Sequence, residues 1–153
     1  MQTKNDRSMK KAILYTRVAT DDQLHNYSQT SQEDELRKYC AAKGIEVVKH
    51  YHDCFSGKTF VRPQFKLLFK YAKKNKADID YLLVIKWDRF SRDIQKGITK
   101  IKEFKKLGIE VNATEQWIDH HISNNFMLLN MLLHITGLDK SKKTSKVAIV
   151  PNK

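Results

Sequence analysis

Lys11-Ala12-Ile13-Leu14-Tyr15-Thr16-Arg17-Val18-Ala19-Thr20-Asp21-Asp22-Gln23 opens on an apolar run and closes on a cluster of arginine, threonine and aspartate. A short, nearly unbroken apolar run of this kind reads as a buried parallel strand that delivers polar residues at its carboxyl end. In an open α/β sheet that edge is where ligands bind.

Outward from this strand, residues 31–43 carry Leu36, Tyr39 and Cys40 at helical spacing and stop at Gly44, a normal C-terminal signal. Residues 45–51 read as a second strand. Pro63 stands where proline is tolerated, in the first turn of a helix whose Phe65, Leu68, Phe69 and Ala72 form a core-facing stripe. Residues 81–85 are a third strand. Residues 94–107 form a helix that turns Ile98, Ile101, Phe104 and Leu107 inward and ends at Gly108, and 109–113 are a fourth strand. Strand and helix alternate, as a parallel sheet requires.

The run Tyr15-Thr16-Arg17-Val18-Ala19-Thr20-Asp21-Asp22-Gln23 resembles the Tyr-x-Arg-Val-Ser-Thr-x-x-Gln that opens the catalytic domain of the serine recombinases, with Ala19 in the place of the serine. This family comprises transposon resolvases, DNA invertases and the large serine integrases of mobile elements. Tyr27-Ser28-Gln29-Thr30-Ser31-Gln32 is similar to the stretch leading into the family's first helix, and Gln32 is the matching glutamine. Asp53-Cys54-Phe55-Ser56-Gly57 resembles its Asp-x-x-Ser-Gly turn, and Arg62-Pro63 the Arg-Pro that opens a helix. Leu82-Leu83-Val84-Ile85-Lys86-Trp87-Asp88-Arg89-Phe90-Ser91-Arg92 matches a strand followed by Asp-Arg-x-x-Arg.

The resemblance covers residues 11–137, after a polar extension at 1–10. It implies an α/β fold, a three-layer α/β/α domain with a mostly parallel sheet, flavodoxin-like in outline. It also implies a chemistry. In the family a serine oxygen attacks a DNA phosphodiester, forms a phosphoserine link and releases a 3′ hydroxyl without metal or cofactor. Charge gathers on the phosphorane oxygens, and guanidinium groups hold it well because they are planar, permanently cationic and able to bind two oxygens at once. By this resemblance Arg17, Arg62, Arg89 and Arg92 form the cage, Asp88 orients an arginine or moves a proton, Gln32 hydrogen-bonds within the site, and Tyr15 belongs to the motif. Lys73 is a further candidate cation for DNA.

Replacing serine by alanine at position 19 removes the atom that makes the covalent bond, and no pKa adjustment restores it. Thr20 is an unpromising substitute, since neighbours at a strand end point to opposite faces. Ser28, Ser31, Ser56 and Ser91 stand at family positions other than the nucleophile. The expected function is therefore that of a site-specific recombinase catalytic domain impaired by Ala19. The alternative is an inert DNA- or partner-binding module that regulates an active recombinase.

Near Asn124 a helix begins whose Phe126, Leu128, Leu129, Met131, Leu132, Leu133 and Ile135 are apolar on nearly all sides. Such a helix lies in a subunit interface or against its own sheet, so 124–137 is the candidate contact for a homodimer, a tetramer or a heteromer with an active recombinase. Gly137 ends it. Residues 138–153 read as a basic, linker-like tail, in place of the family's DNA-binding region.

Composition bounds the partners. The 153 residues suit one domain. Lysine and arginine number 29 against 17 acidic residues, a net charge of +12, which points to a polyanion, here DNA held mainly by its phosphates. Two cysteines, Cys40 and Cys54, make no disulfide framework, and no run reaches transmembrane length; the expected location is the bacterial cytoplasm, on the nucleoid when DNA is bound. His50, His52 and Asp53 beside Cys54 are discounted as a metal site, because strand alternation alone brings the two histidines to one face; His120-His121 is discounted too. Trp87 and Phe90 read as packing. Gly57-Lys58-Thr59 lacks the upstream glycine of a P-loop, so nucleotide binding is rejected.

Overall fold

The computed structural model describes residues 9–18, 29–54 and 62–120. Ala19, Thr20, Ser28, Ser56, the segment 57–59, His121, the helix assigned to 124–137 and the tail 138–153 lie outside the described residues, as does most of the extension at 1–10.

Four strands form one parallel sheet in the order β2-β1-β3-β4: β1 (Lys10–Arg17), β2 (Ile45–Asp53), β3 (Tyr81–Val84) and β4 (Glu110–Ala113). β1 is interior to the sheet, and its last six residues are all buried. That burial is why its sequence runs apolar without alternation. β2 is longer than its apolar content suggests, reaching Asp53, because its polar residues 49–53 ladder against Ile13–Arg17 of β1. A register shift between Ala12 and Ile13 passes over Val48.

The helices take both faces. α1 (Gln29–Lys43) lays Leu36 and Cys40 against Ala12, Leu14, Leu83 and Ile85. α2 (Pro63–Lys74) and α4 (Ile94–Lys106) cover the opposite face, where Phe65, Leu68, Ala72, Ile101 and Phe104 meet Ile13, Tyr15, Leu82, Val84 and Val111. This is the expected α/β/α arrangement in three layers, with all four described strands parallel. Gly44 and Gly108 have φ of 69° and 79°, the left-handed geometry that ends α1 and α4 and that glycine adopts without a Cβ penalty.

Between β3 and α4 a single helical turn, α3 (Trp87–Phe90), was not anticipated. Four residues are too few to display a helical period. The turn is fixed from outside: Gln116 accepts from the Trp87 backbone N–H at 2.8 Å, and its own carbonyl accepts from the indole N–H at 2.9 Å. Trp87 and Phe90 are core residues, 1% and 0% exposed. No helix among the described residues is long and apolar enough to cross a membrane.

Candidate active site

Polar burial concentrates at the carboxyl edge of the sheet. Arg17 ends β1, Asp53 ends β2, and Asp88 and Arg89 lie on the turn after β3. Arg62 arrives by a local rule: a residue before proline is kept out of helical geometry, so Arg62 is extended (φ −130°, ψ 118°) and caps α2 as Pro63 opens it.

Two clasps organise this edge. In the first, Arg17 Nε donates to the Arg89 carbonyl at 3.1 Å and Arg17 Nη2 to the Asp88 carbonyl, while Arg89 Nη1 donates back to the Arg17 carbonyl at 3.2 Å. Gln32 of α1 completes it, accepting from the Arg17 N–H at 3.3 Å and donating to the Arg17 carbonyl at 3.0 Å. The amide thus serves the end of β1 as a further strand would.

In the second clasp, Arg62 Nη1 donates to the Tyr15 hydroxyl at 3.3 Å, and that hydroxyl donates to Asp53 Oδ2 at 2.9 Å. The Asp53 carboxylate also accepts from the N–H groups of Gln64 and Phe65 at 3.0 and 2.9 Å, satisfying the first turn of α2 where a negative charge is favourable. Asp53 is thus the organising residue of this clasp, one that motif reading quoted but did not assign. Its signal is an aspartate at a strand end followed by a proline-opened helix, yet its partners Tyr15 and Phe65 are distant in sequence.

The electrostatics follow from crowding. Arg17 and Arg62 are fully buried, Arg89 is 6% exposed and Arg92 is exposed. Burial, then the charges of Arg62, Arg89 and Arg92, pull Arg17 down to about 10, with Tyr15 opposing. Arg17 still carries its proton at neutral pH. Burial pushes the Tyr15 phenol well above its ordinary value, so it is neutral and can donate. Asp88 Oδ1 stands 3.4 Å from Arg89 Nε. An edge where three further guanidinium groups crowd Arg17 beside two carboxylates suits an anion whose charge is spread over several oxygens.

The structure therefore brings together Tyr15, Arg17, Gln32, Asp53, Arg62, Asp88 and Arg89, with Arg92 close enough to act on Arg17. Lys73 does not appear among the charges acting on Arg17; it is exposed, its ammonium 4.9 Å from the Phe69 ring centroid. Ala19 lies outside the described residues, two positions beyond Arg17 in the chain. Ser91 Oγ is occupied by the α4 entry, donating to the Asp93 carbonyl and accepting its N–H. His50 and His52 do share a face, both 2.8 Å from Thr16 Oγ1.

Comparison with known proteins gives the family and the fold. Residues 12–148 match the family model of the resolvase N-terminal domain. A probable DNA-invertase of Sinorhizobium fredii is 28% identical over 138 residues, covering 90% of this chain but only 41% of that protein. The uncharacterized immunity region protein 3 of Bacillus phage phi105 is 29% identical over 76 residues, 48% of this chain and 93% of its own. Among solved structures, the N-terminal catalytic domain of TP901-1 integrase is 33% identical, with a TM-score of 0.69 over 85% of this chain and 96% of that one. A resolvase family site-specific recombinase from Streptococcus pneumoniae shares the fold, at 22% identity and a TM-score of 0.64, over 92% and 90% of the two chains.

Proposed function

Starting from a chain that belongs to the resolvase N-terminal domain family, and so has a serine recombinase catalytic domain, we propose that its carboxyl edge holds a phosphodiester of DNA and that Ala19 leaves it unable to cut. The observation that carries this reading is the gathering of Arg17, Arg62 and Arg89, all buried, at one strand end, with Arg92 close enough for its charge to act on Arg17. Arg92, exposed, meets the phosphate first; Arg89 follows; Arg17 and Arg62 supply buried charge behind them. Asp53 and Tyr15 position Arg62, and Gln32 positions Arg17. The partner is DNA held by its backbone, with self-association or pairing with an active recombinase, in the bacterial cytoplasm. Lys73 adds to the general field rather than to the cage.

Backbone binding of this kind weakens steeply as salt rises, in proportion to the phosphates neutralised. The test is the salt dependence of duplex DNA binding by the chain and by Arg92→Gln. Removing one phosphate contact lowers the slope of log affinity against log salt by about 1 for any sequence. An unchanged slope would take Arg92 out of the interface and remove the entry point of the proposed cage.

A further inference from the structure

At the opposite end of the strands, on the α1 face, a cleft of about 580 Å³ opens between α1, the starts of the strands and the segment after β4. Lys10, Tyr39, Lys43, Ile45, Tyr81 and Trp117 line it. Its size is that of a small-ligand site, roughly 300–1,000 Å³. Its chemistry is unlike that of the arginine edge, because it pairs aromatic ring faces with lysine ammonium groups.

Trp117 is the exceptional residue. It is 43% exposed, whereas the other tryptophan, Trp87, is 1% exposed. The indole is nevertheless held in place: Tyr39 stacks on it at 6.0 Å with 24° between planes, and Tyr81 meets it edge-on at 6.0 Å. The chain is bent back to put it there, since Asn112 Oδ1 accepts from the Ile118 N–H at 2.9 Å and Asn112 Nδ2 donates to the Ile118 carbonyl at 2.8 Å. An exposed but braced ring is a platform whose orientation is already fixed. Lys43 Nζ lies 5.8 Å from the Tyr39 centroid, and Lys10 is exposed at the rim. Two carboxylates face these tyrosines, Glu110 toward both and Asp80 toward Tyr81, and each is occupied: Glu110 accepts from the Asn112 amide and Asp80 from the Lys11 N–H, both at 2.9 Å.

We propose that this cleft is a second nucleic-acid site, which takes an unpaired base on Trp117 with its phosphates on Lys10 and Lys43. A ring face beside cations is the arrangement that binds single strands without sequence preference: every base has a π-face and every link a negative charge. A duplex hides its base faces in the stack, so the cleft favours unpaired strands. The net charge of +12 favours the same class of partner.

Trp87 is buried beside Asp88 and Arg89, so the part of the change in tryptophan emission on adding ligand that Trp117→Phe lacks reports Trp117. The full chain is titrated with a short oligothymidylate, with a duplex of the same length and with a polyglutamate peptide. The oligothymidylate quenches emission more than the duplex does, and the effect fades with salt. Read instead by the anisotropy of a dye-labelled oligothymidylate, Trp117→Ala weakens binding about tenfold or more, Trp117→Phe keeps part of it with an unchanged melting temperature, and the double variant Lys10→Glu, Lys43→Glu weakens it too. Arg92→Gln leaves the quenching in place, which separates this site from the arginine edge. Equal oligothymidylate binding by Trp117→Ala and the parent chain would overturn the proposal. Quenching by polyglutamate as strong as by the oligonucleotide would also overturn it, in favour of an acidic peptide.

Discussion

The six buried residues of β1 fall into two chemically opposed triplets. Ala12, Ile13 and Leu14 are 0% exposed and belong to the two hydrophobic core clusters; Tyr15, Thr16 and Arg17 are also 0% exposed and carry a phenol, a hydroxyl and a guanidinium. The first triplet pays for folding through the hydrophobic effect. The second triplet works against it, since a buried charge costs stability unless paired, and here it is compensated by two hydrogen-bonded clasps. A protein keeps such a cost where the charge has a task, and the task sits at the ligand-binding edge of the sheet.

The sharpest way to break this contrast is truncation on each side of it. Leu14→Ala should cost about 3 kcal/mol or more, as large-to-small changes do in a packed core, and leave DNA affinity at a fixed folded fraction unchanged. Asp53→Ala should cost somewhat less, about 2–3 kcal/mol, by stripping the α2 N-terminus and the Tyr15 hydroxyl of their acceptor. It should also weaken DNA binding, because Arg62 loses its support. Urea midpoints read the first effect and binding isotherms the second; Asp53→Ala with full affinity would break the link between that clasp and the site.

A smaller effect comes from the histidines beside Thr16. One hydroxyl carries one hydrogen, so with both imidazoles neutral one accepts from Thr16 and the other donates to it. Burial holds His50 and His52 below the ordinary 6.5, with Glu33 opposing at His50 and Asp53 at His52. The unfolded chain therefore binds more protons in mild acid than the folded one. Stability is full above about 6.5 and declines as pH falls below it. Melting temperatures followed across that range should show the decline, and His50→Gln should shrink it; a flat profile in the parent would contradict the buried, neutral assignment.

The smallest expected stability change is the most telling. Arg17→Met takes the Asp88 and Arg89 carbonyls' donor away, but it also removes a desolvated charge that burial and the charges of Arg62 and Arg89 disfavour, and the two effects offset. The chain should stay folded within about 1 kcal/mol while DNA binding falls. Severe unfolding would make Arg17 a structural residue first.

Much of this was legible in the sequence, for physical reasons that differ along the chain. The strands and the long helices announced themselves through apolar runs, helical spacing, Pro63 and the glycines 44 and 108. Gln32 and the arginines came from motif order, and the structure brings them to one edge. The single turn α3 was hidden by its length and by depending on Gln116, 29 residues from Trp87. The last two residues of β2, His52 and Asp53, were hidden because they are polar and are held in the strand by pairing with Thr16 and Arg17 of β1. Asp53 was quoted within a motif but not assigned, because its role is set by Tyr15, 38 residues away. Trp117 gave no signal, since exposure and bracing are properties of the fold.

The central claim is an arginine edge competent for chemistry and lacking only its hydroxyl. It is tested most directly by incubating supercoiled DNA with the chain and with Ala19→Ser, trapping covalent protein–DNA adducts and mapping the modified residue. The account predicts an adduct at position 19 of the Ala19→Ser variant and none with the unaltered chain. An adduct from the unaltered chain, or none from either protein, would contradict it.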